Sequence, residues 1–437
     1  MERSELTECN KLISLNKWQE AATTLKCMAN TGENLEDVLE FVSSEYLQRG
    51  EGVSIFLVEL FRYLRKSATL NESQNILANN RFILNEVKII LQKLIDNENE
   101  NFLIKIILQF LVNLVVANQT SCLKVSEIMY EEILDCFYKR RNDYEVLALL
   151  YNLHLKNRVL CFRDEVYENI LNFSRDNDCE YAQFLSELFL YSESFWRHYD
   201  KLEISSRIEA LELLQMRWIK GKLQSLPEIS LQILSKKFWS SENVIFQTLS
   251  SNTNSLEPYE ISLLLDILGS LCGNDIYLTS LQKDYDLVIR CGVLLINIHR
   301  IGKQSDNYFS SVQKLSELKE PSEAIQKHPA FGFKVGLVRL VGNLCWKNKK
   351  MQDLVRETEI IPILLDCCNI DARNPLIMQW VILAIRNLCE NNLENQKIIA
   401  GLHKEGTVSS ALVEEMGLTI HDDEKGGIRI VPLNLRK

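Results

Sequence analysis

The sequence predicts an all-α fold of stacked helical repeats that ends in a small β-hairpin, and its composition is the first support for this prediction. Glycine (16 residues) and proline (7 residues) are scarce among the 437 residues, at about 5 % together against about 12 % in average usage. Folds built from strands and tight turns need these residues at their corners, so sandwiches, barrels and propellers are excluded. With 46 % hydrophobic and 25 % charged residues, the chain can form a long core.

An internal repeat is the second support. Five segments contain an Asn or Ser that lies two residues after an apolar residue and directly before Leu. We call this Asn or Ser the anchor. A spacing near 40 residues is typical of armadillo and HEAT repeats, in which each unit buries its apolar face against its neighbours. The largest gap predicts two degenerate repeats, near Leu188–Tyr191 and Ile229–Leu234. The anchors, separated by 39, 118, 73 and 44 residues, are Asn113, Asn152, Ser270, Asn343 and Asn387.

The repeats divide the chain into three predicted regions. Residues 1–301 form irregular armadillo-like repeats, and residues 331–437 form a C-terminal armadillo-like domain. Between them, residues 302–330 combine few apolar side chains with Pro321 and Pro329. This composition is typical of an exposed loop, and it accounts for the enlarged spacing of 73 residues. We therefore interpret residues 302–330 as a flexible polar insert.

The C-terminal region shows the repeat unit most clearly. Apolar periodicity predicts a set of helices there, with Pro362 tolerated in a first turn. After residue 400 the pattern changes to period two on either side of Gly426-Gly427, which predicts a hairpin that caps the end of the solenoid. The predicted helices are Phe333–Trp346, Met351–Arg356, Ile361–Cys368 and Leu376–Cys389.

Charge and cysteine usage limit the partners and the compartment. A formal charge of −10 repels a phosphate backbone, so nucleic acid is not an expected partner. The twelve cysteines contain no Cys-x-x-Cys spacing, and the N-terminus lacks a secretory apolar core, so we expect reduced thiols in the cytoplasm. The most apolar stretch, Phe102–Ala117, is too short and too polar to span a bilayer.

No sequence pattern predicts catalysis or a cofactor. Phosphate-binding, esterase and zinc-protease motifs are missing, so no cofactor and no metal are expected. We expect His299 to lie on the surface. The residue two beyond each anchor is predicted to be a packing position, because equivalent residues of stacked helices lie about 8–10 Å apart and a nucleophile needs its base within about 3 Å. This column is Val115, His154, Cys272, Cys345 and Cys389.

The C-terminal region contains four distinctive segments: Phe331-Gly-Phe-Lys, Leu340-Val-Gly-Asn-Leu-Cys-Trp-Lys-Asn-Lys, Gln352-Asp-Leu-Val-Arg-Glu and Trp380-Val-Ile-Leu-Ala-Ile-Arg-Asn-Leu-Cys-Glu-Asn-Asn-Leu-Glu-Asn-Gln. These segments resemble the ataxin-10 family, specifically over residues 328–400. The resemblance implies a cytoplasmic armadillo-like scaffold without known catalysis, located near the nucleus or at the cell-division apparatus. It also implies roles in cytokinesis and in neuronal survival or neurite signalling through protein partners, self-association included. A regulatory subunit of a signalling or glycosyltransferase complex, or an enzyme with an unrecognised site, stays open as an alternative.

The candidate partner-binding residues form stripes with four-residue spacing on the anchor helices. In armadillo proteins such helices line a groove, and the resemblance places these helices there. Two interpretations stay open: each anchor Asn fixes the backbone of a neighbouring turn, or the stripes bind a partner segment. Because Phe331–Lys350 carries basic side chains, Lys334 among them, and no acidic one, this partner is expected to be acidic or phosphorylated. The candidates are Arg339, Asn343, Lys347, Gln379, Asn387 and Asn391.

Overall fold

A computed structural model describes residues 2–31, 35–50, 52–139, 144–156, 162–176, 179–249, 255–312, 326–401, 418–422 and 428–432. Helices account for nearly all the regular structure in these ranges, so the predicted all-α class is confirmed. The chain divides into two compact units, residues 1–194 and 195–437. The predicted boundaries at 301/302 and 330/331 both fall inside the second unit.

The described part of the first unit consists of helices, with 3₁₀ turns at Ser44–Gln48 and Glu98–Glu100. Its helices are α1 (Glu2–Ser14), α2 (Trp18–Thr31), α3 (Leu35–Leu39), α4 (Val53–Ser67), α5 (Asn71–Asn79), α6 (Arg81–Leu94), α7 (Asn101–Val115), α8 (Gln119–Lys139), α9 (Tyr144–Lys156), α10 (Asp164–Asp176) and α11 (Glu180–Phe189).

Two layers of helices build the first unit. Helices α2, α4, α7, α9 and α11 pack one against the next, and α5, α6 and α8 lie behind them. We call the first layer the anchor row, because it contains Asn113 and Asn152. Helix α7, the most apolar stretch of the sequence, is buried in this row, and its Phe110 ring lies 5.9 Å from the Phe61 ring of α4. Its hydrophobicity is thus explained by burial between two helical layers.

The second unit contains the remaining helices, with 3₁₀ turns at Tyr199–Lys201 and Glu242–Leu249. Strands β1 (Leu418–Asp422) and β2 (Ile428–Pro432) pair antiparallel, with Ile420 opposite Ile430. The helices are α12 (Glu193–His198), α13 (Ile204–Ile219), α14 (Glu228–Ser241), α15 (Glu257–Leu271), α16 (Asp275–Leu281), α17 (Tyr285–Gln304), α18 (Phe333–Leu344), α19 (Lys349–Glu357), α20 (Ile360–Asp366), α21 (Ile377–Cys389) and α22 (Leu393–Gly401).

The anchor row of the second unit is α13, α15, α18 and α21, which pack in succession. Helices α14 and α17 lie behind it, and α17 packs against α18, α19 and α20. The degenerate repeat that the sequence placed near Ile229–Leu234 lies in α14, behind the row. Helix α13 occupies the row instead, because its buried Leu211 and Leu214 give it the apolar face that packs on α15.

The ends of the predicted insert belong to the packed second unit. Helix α17 continues to Gln304, and the Phe309 and Val312 side chains beyond it are buried. The main-chain N–H of Ala372 donates to the carbonyl oxygen of Val312, at 2.6 Å. These apolar side chains and main-chain contacts anchor residues 305–312, so a flexible insert that begins at residue 302 is wrong. Residues 313–325 lie outside the described residues.

Candidate partner-binding surface

The predicted anchor asparagines of the second unit join consecutive repeats. Asn387 Nδ2 in α21 donates a hydrogen bond to the carbonyl oxygen of Gly342 in α18, at 2.9 Å. Asn343 Nδ2 in α18 donates in the same way to Gly269 in α15, at 3.3 Å. Gly342 and Gly269 each precede the anchor of their own repeat, Asn343 and Ser270. The two contacts are therefore equivalent.

The first unit contains the same contact once. Asn113 Nδ2 in α7 donates to the carbonyl oxygen of Arg65 in α4, at 3.0 Å. Asn152 in α9 differs, since its Nδ2 donates to Ala148 in its own helix, at 2.8 Å. For Asn113, Asn343 and Asn387, these bonds support the interpretation in which the anchor fixes a neighbouring backbone.

The glycine directly before the anchor allows the helices that the anchor joins to approach each other closely. A Cβ atom on Gly342 would lie 2.8 Å from the Cβ of Ala384 in α21, and one on Gly269 would lie 2.6 Å from the guanidinium of Arg339. Both separations are shorter than van der Waals contact. Helices α15, α18 and α21 therefore approach closely at these two glycines.

Glutamines form a second set of links, which the sequence analysis missed. Gln352 Nε2 in α19 donates to the carbonyl oxygens of Cys345 (3.2 Å), Asn387 (2.8 Å) and Glu390 (3.3 Å). One buried amide thus connects the end of α18 to the end of α21. Two other glutamines act alike: Gln74 on Ala68, Asn113 and Val116, and Gln282 on Leu344 and Trp346.

A second asparagine, five residues after the anchor, begins the next helix and was also missed. Asn118, Asn348 and Asn392 each accept from a main-chain N–H of the following turn, at 3.0–3.2 Å. This is the contact of a helix N-cap. The signal is present in the sequence as Asn-Leu-x-x-x-Asn at residues 113–118, 343–348 and 387–392. We call the anchor asparagines and the linking glutamines together the seam.

Two predicted site residues lie beyond the helices that were expected to carry them. Helix α18 ends at Leu344 and α21 at Cys389. Lys347 (φ 51°) and Asn391 (φ 55°) follow in the left-handed conformation, which ends a helix. The predicted four-residue stripe therefore stops at Asn343 and Asn387. Lys347 and Asn391 occupy equivalent turns, and both side chains are exposed.

Two of the basic residues that were expected to bind an acidic partner make hydrogen bonds inside the second unit instead. Arg339 Nη2 donates to the main-chain oxygen of Asp266, at 3.0 Å, and its guanidinium lies 5.8 Å from the Trp380 ring centre. Lys334 is buried, and its Nζ donates to the carbonyl oxygen of Phe309, at 3.0 Å. Arg339, Asn343 and Asn387 thus hold the repeats together. Lys347, Gln379 and Asn391 remain exposed.

Helix α21 separates a buried face from an exposed one. Val381, Ala384 and Leu388 are buried on the side that packs against α18. On the other side Gln379 and Arg386 are exposed, together with Met378 (38 % exposed) and Ile382 (61 % exposed). We call Met378, Gln379, Ile382 and Arg386 the α21 face. It combines apolar and polar side chains, as protein interfaces do.

One Cys–His–Asp arrangement occurs in the second unit. The predicted surface position of His299 is wrong: its side chain is buried, with Nε2 2.7 Å from Asp366 Oδ2 and Nδ1 3.6 Å from Cys367 Sγ. Burial raises the pKa of the Cys367 thiol to about 11, whereas a nucleophilic cysteine needs an accessible thiolate. The arrangement therefore fits a packed hydrogen-bonded contact between α17 and the end of α20.

The column two residues beyond the anchors is confirmed as a packing position. Val115, His154, Cys272 and Cys345 are all buried, and Cys389 is half-buried. The eleven cysteines that the structure describes are all thiols. Within the described ranges, no three His, Cys, Asp or Glu side chains are grouped so as to hold a metal ion.

None of the described helices alone has both the length and the apolar composition of a membrane span. Helices α15 and α16 satisfy both conditions only as a pair, across a bend of 117°.

A family model matches the C-terminal end of this chain, and curated relatives match up to about half of it. The family model described as "Spinocerebellar ataxia type 10 protein domain" matches residues 333–431. Human ataxin-10 is 32 % identical over 254 residues, which cover 56 % of this chain and 52 % of that protein. Ataxin-10 of Xenopus tropicalis is 37 % identical over 177 residues, covering 40 % of this chain and 36 % of that protein. The matches thus span about half or less of these relatives.

Solved structures give a weaker likeness. SYS-1 has a TM-score of 0.33 and 14 % identity, with 93 % of this chain and 77 % of SYS-1 covered. An engineered protein has a TM-score of 0.31 and 10 % identity, with coverages of 88 % and 98 %. Scores this low carry no argument about the chain.

Another relative matches a shorter part of the chain at higher identity. The ataxin-10 homolog of Dictyostelium discoideum is 43 % identical over 98 residues, or 22 % of this chain and 16 % of that protein. The matched family domain contains α18, α19 and α21, with the anchors Asn343 and Asn387 and the linking Gln352. Residues 333–431 of the chain thus match the domain of the ataxin-10 family.

Proposed function

We propose that the chain is a non-catalytic scaffold that holds partner proteins on the α21 face and on the basic turn formed by Lys347, Lys349 and Lys350. The observation that carries the proposal is that α21 has one buried face and one exposed face. Its Asn387 is buried in the seam, whereas Gln379, Met378 and Ile382 are exposed beside it. Exposed apolar side chains framed by polar ones are typical of protein-binding surfaces.

The charge of this surface favours an acidic or phosphorylated partner segment. Lys347, Lys349 and Lys350 are exposed at the start of α19, and Arg386 is exposed on α21. Lys349 pairs with Glu394 at 3.8 Å, and both side chains are more than half exposed. Such a pair is weak, so a carboxylate or phosphate of a partner can compete for the lysine.

The match of residues 333–431 to the ataxin-10 family supports the cellular part of the proposal. By resemblance to the ataxin-10 family, we assign the chain to the cytoplasm, near the nucleus or at the cell-division apparatus. Its partners would be signalling or cell-division proteins, with roles in cytokinesis and in neuronal survival or neurite signalling. The buried Cys367 thiol does not favour the alternative of an enzyme.

Affinity purification from cytosol, read by quantitative mass spectrometry, tests the surface. Arg339→Glu is unsuitable because it would also break the contact with Asp266, so we choose Lys347→Glu with Ile382→Ser. We expect this variant to lose specific co-purifying proteins by about fivefold or more, since truncated interface anchors weaken binding. The matched control is Ile219→Ser with Lys220→Glu, an exposed pair at the end of α13. Equal recovery by both folded variants and the wild type would reject the α21 face.

A further inference from the structure

Four aromatic rings of the first unit form a contiguous cluster on α9 and α11. Ring centres lie 4.7 Å apart for Tyr144 and Tyr181, 5.7 Å for Tyr151 and Tyr181, and 5.6 Å for Tyr151 and Phe184. The Tyr181 and Phe184 rings are 6.1 Å apart and nearly perpendicular, at 89°. We call these four residues the aromatic patch.

The aromatic patch reaches the surface, unlike the neighbouring cluster around Phe162. Tyr144 is 53 % exposed and Phe184 39 % exposed, while Tyr151 and Tyr181 are partly exposed between them. Phe162, Tyr167 and Phe189 are by contrast fully buried. Exposed rings grouped in this way form an apolar surface that a bound partner would cover. Tyrosine is also enriched at interface hot spots.

The unit that carries the patch is negatively charged, and one acidic side chain lies at the start of α11. Glu180, the first residue of α11, is exposed. A hydrogen bond with Tyr181, then burial, and to a smaller extent the charges of Tyr181 and Glu180 raise the pKa of Tyr144. Residues 1–194 contain 30 acidic and 20 basic side chains, whereas residues 195–437 contain 29 of each. The whole formal charge of −10 therefore resides in the unit that carries the patch.

We propose that the aromatic patch is a docking site for a basic peptide segment of a partner protein. Tyr144 and Phe184 are exposed, and arginine or lysine cations bind over exposed ring faces within about 6 Å of the ring centre. Glu180 supplies a carboxylate for a second cation of the same segment, and the acidic unit attracts it from a distance. This site lies in the first unit and goes beyond the α21 face.

Fluorescence anisotropy with a defined probe tests the proposal on the full chain. The probe is a fluorescein-labelled octapeptide of alternating arginine and glycine. We expect Tyr144→Ser with Phe184→Ser to weaken its binding about tenfold, and Glu180→Gln to weaken it about threefold, because ring faces and a paired carboxylate both stabilise bound cations. The matched control is Phe82→Ser, which removes an exposed ring (63 % exposed) elsewhere in the same unit.

Several outcomes would overturn the docking site. Equal affinities for the wild type and the folded double variant would show that the peptide binds through general charge alone. Patch-dependent binding of a proline-rich, uncharged octapeptide in preference to the basic one would replace the proposed partner. If the double variant fails to fold, photo-crosslinking of a benzophenone-labelled basic peptide to the wild type decides instead. Crosslinks on α9 or α11 support the proposal, and crosslinks confined to other helices reject it.

Discussion

At the scale of single residues, the seam depends on amides that meet main-chain oxygens of another repeat. The carbonyls near the end of a helix have no partner within that helix. Gln352 supplies hydrogen to two such carbonyls at the end of α21, those of Asn387 and Glu390, and to one at the end of α18. Loss of this buried amide removes a donor from the oxygens of Asn387 and Glu390, which costs more than the loss of a surface contact would.

Removal of Asn387 should lower stability, whereas removal of Gln379 on the same helix should not. Asn387→Ala deletes a buried donor to Gly342, so we expect the free energy of unfolding to fall by about 1–3 kcal/mol. Gln379→Ala, the matched control, changes an exposed side chain and should stay within about 0.5 kcal/mol. Urea unfolding measures both variants. A similar loss for both would contradict the separation of seam and surface.

His154 should make stability depend on pH. Burial lowers the pKa of His154 to about 4, and its ring stacks on Phe162 at 3.8 Å. Between about pH 4 and 6.5 the unfolded chain binds a proton that the folded chain does not, so the free energy of unfolding falls as pH falls, by up to about 1.4 kcal/mol per unit. His154→Phe retains a ring and should flatten this slope. Unfolding curves at pH 5 and pH 7 test it, and an unchanged slope contradicts it.

At the scale of elements, the turn after each anchor decides where a helix ends. The sequence predicted the start of α18 at Phe333 correctly, but placed its end at Trp346 instead of Leu344. Apolar periodicity reports burial, and Cys345 is buried beyond the helix, so the pattern continues past the last helical residue. The left-handed Lys347 ends the helix, and a lysine carries no sequence signal for that conformation.

The same limit applies to the candidate site. Recurring Asn-Leu pairs identified the anchors, because asparagine stands at four of the five equivalent positions. The acceptor of each anchor was not predictable, because it depends on how closely two helices approach, as at Gly342. The linking glutamines were not predicted because their spacing from the anchor varies. Gln352 follows its anchor by nine residues, and Gln282 follows Ser270 by twelve.

Gly342→Ala should destabilise the second unit although alanine favours helices. Propensity alone predicts a gain of about 0.5–1 kcal/mol. The added Cβ would meet Ala384 at 2.8 Å, and such overpacking costs about 1–3 kcal/mol. We expect a lower midpoint of thermal unfolding, with partial recovery when Ala384→Gly is added. A raised midpoint in Gly342→Ala would show that α18 and α21 are not in close contact there.

At the scale of the whole molecule, structure and charge both divide the chain near residue 194. The family-model match lies entirely in the second unit, which is electrically balanced, while the first unit carries the net negative charge. The two proposed surfaces follow this division. The basic turn beside the α21 face suits an acidic or phosphorylated partner, and the aromatic patch suits a basic one.

Hydrogen–deuterium exchange of the wild type and Gln352→Ala tests most directly whether the seam joins consecutive repeats. Gln352 lies in α19, but its amide contacts the ends of α18 and α21. We expect faster exchange in the last turns of both α18 and α21 in the variant, because both lose the link that restrains them. Faster exchange confined to α19, or no change at all, would contradict the account.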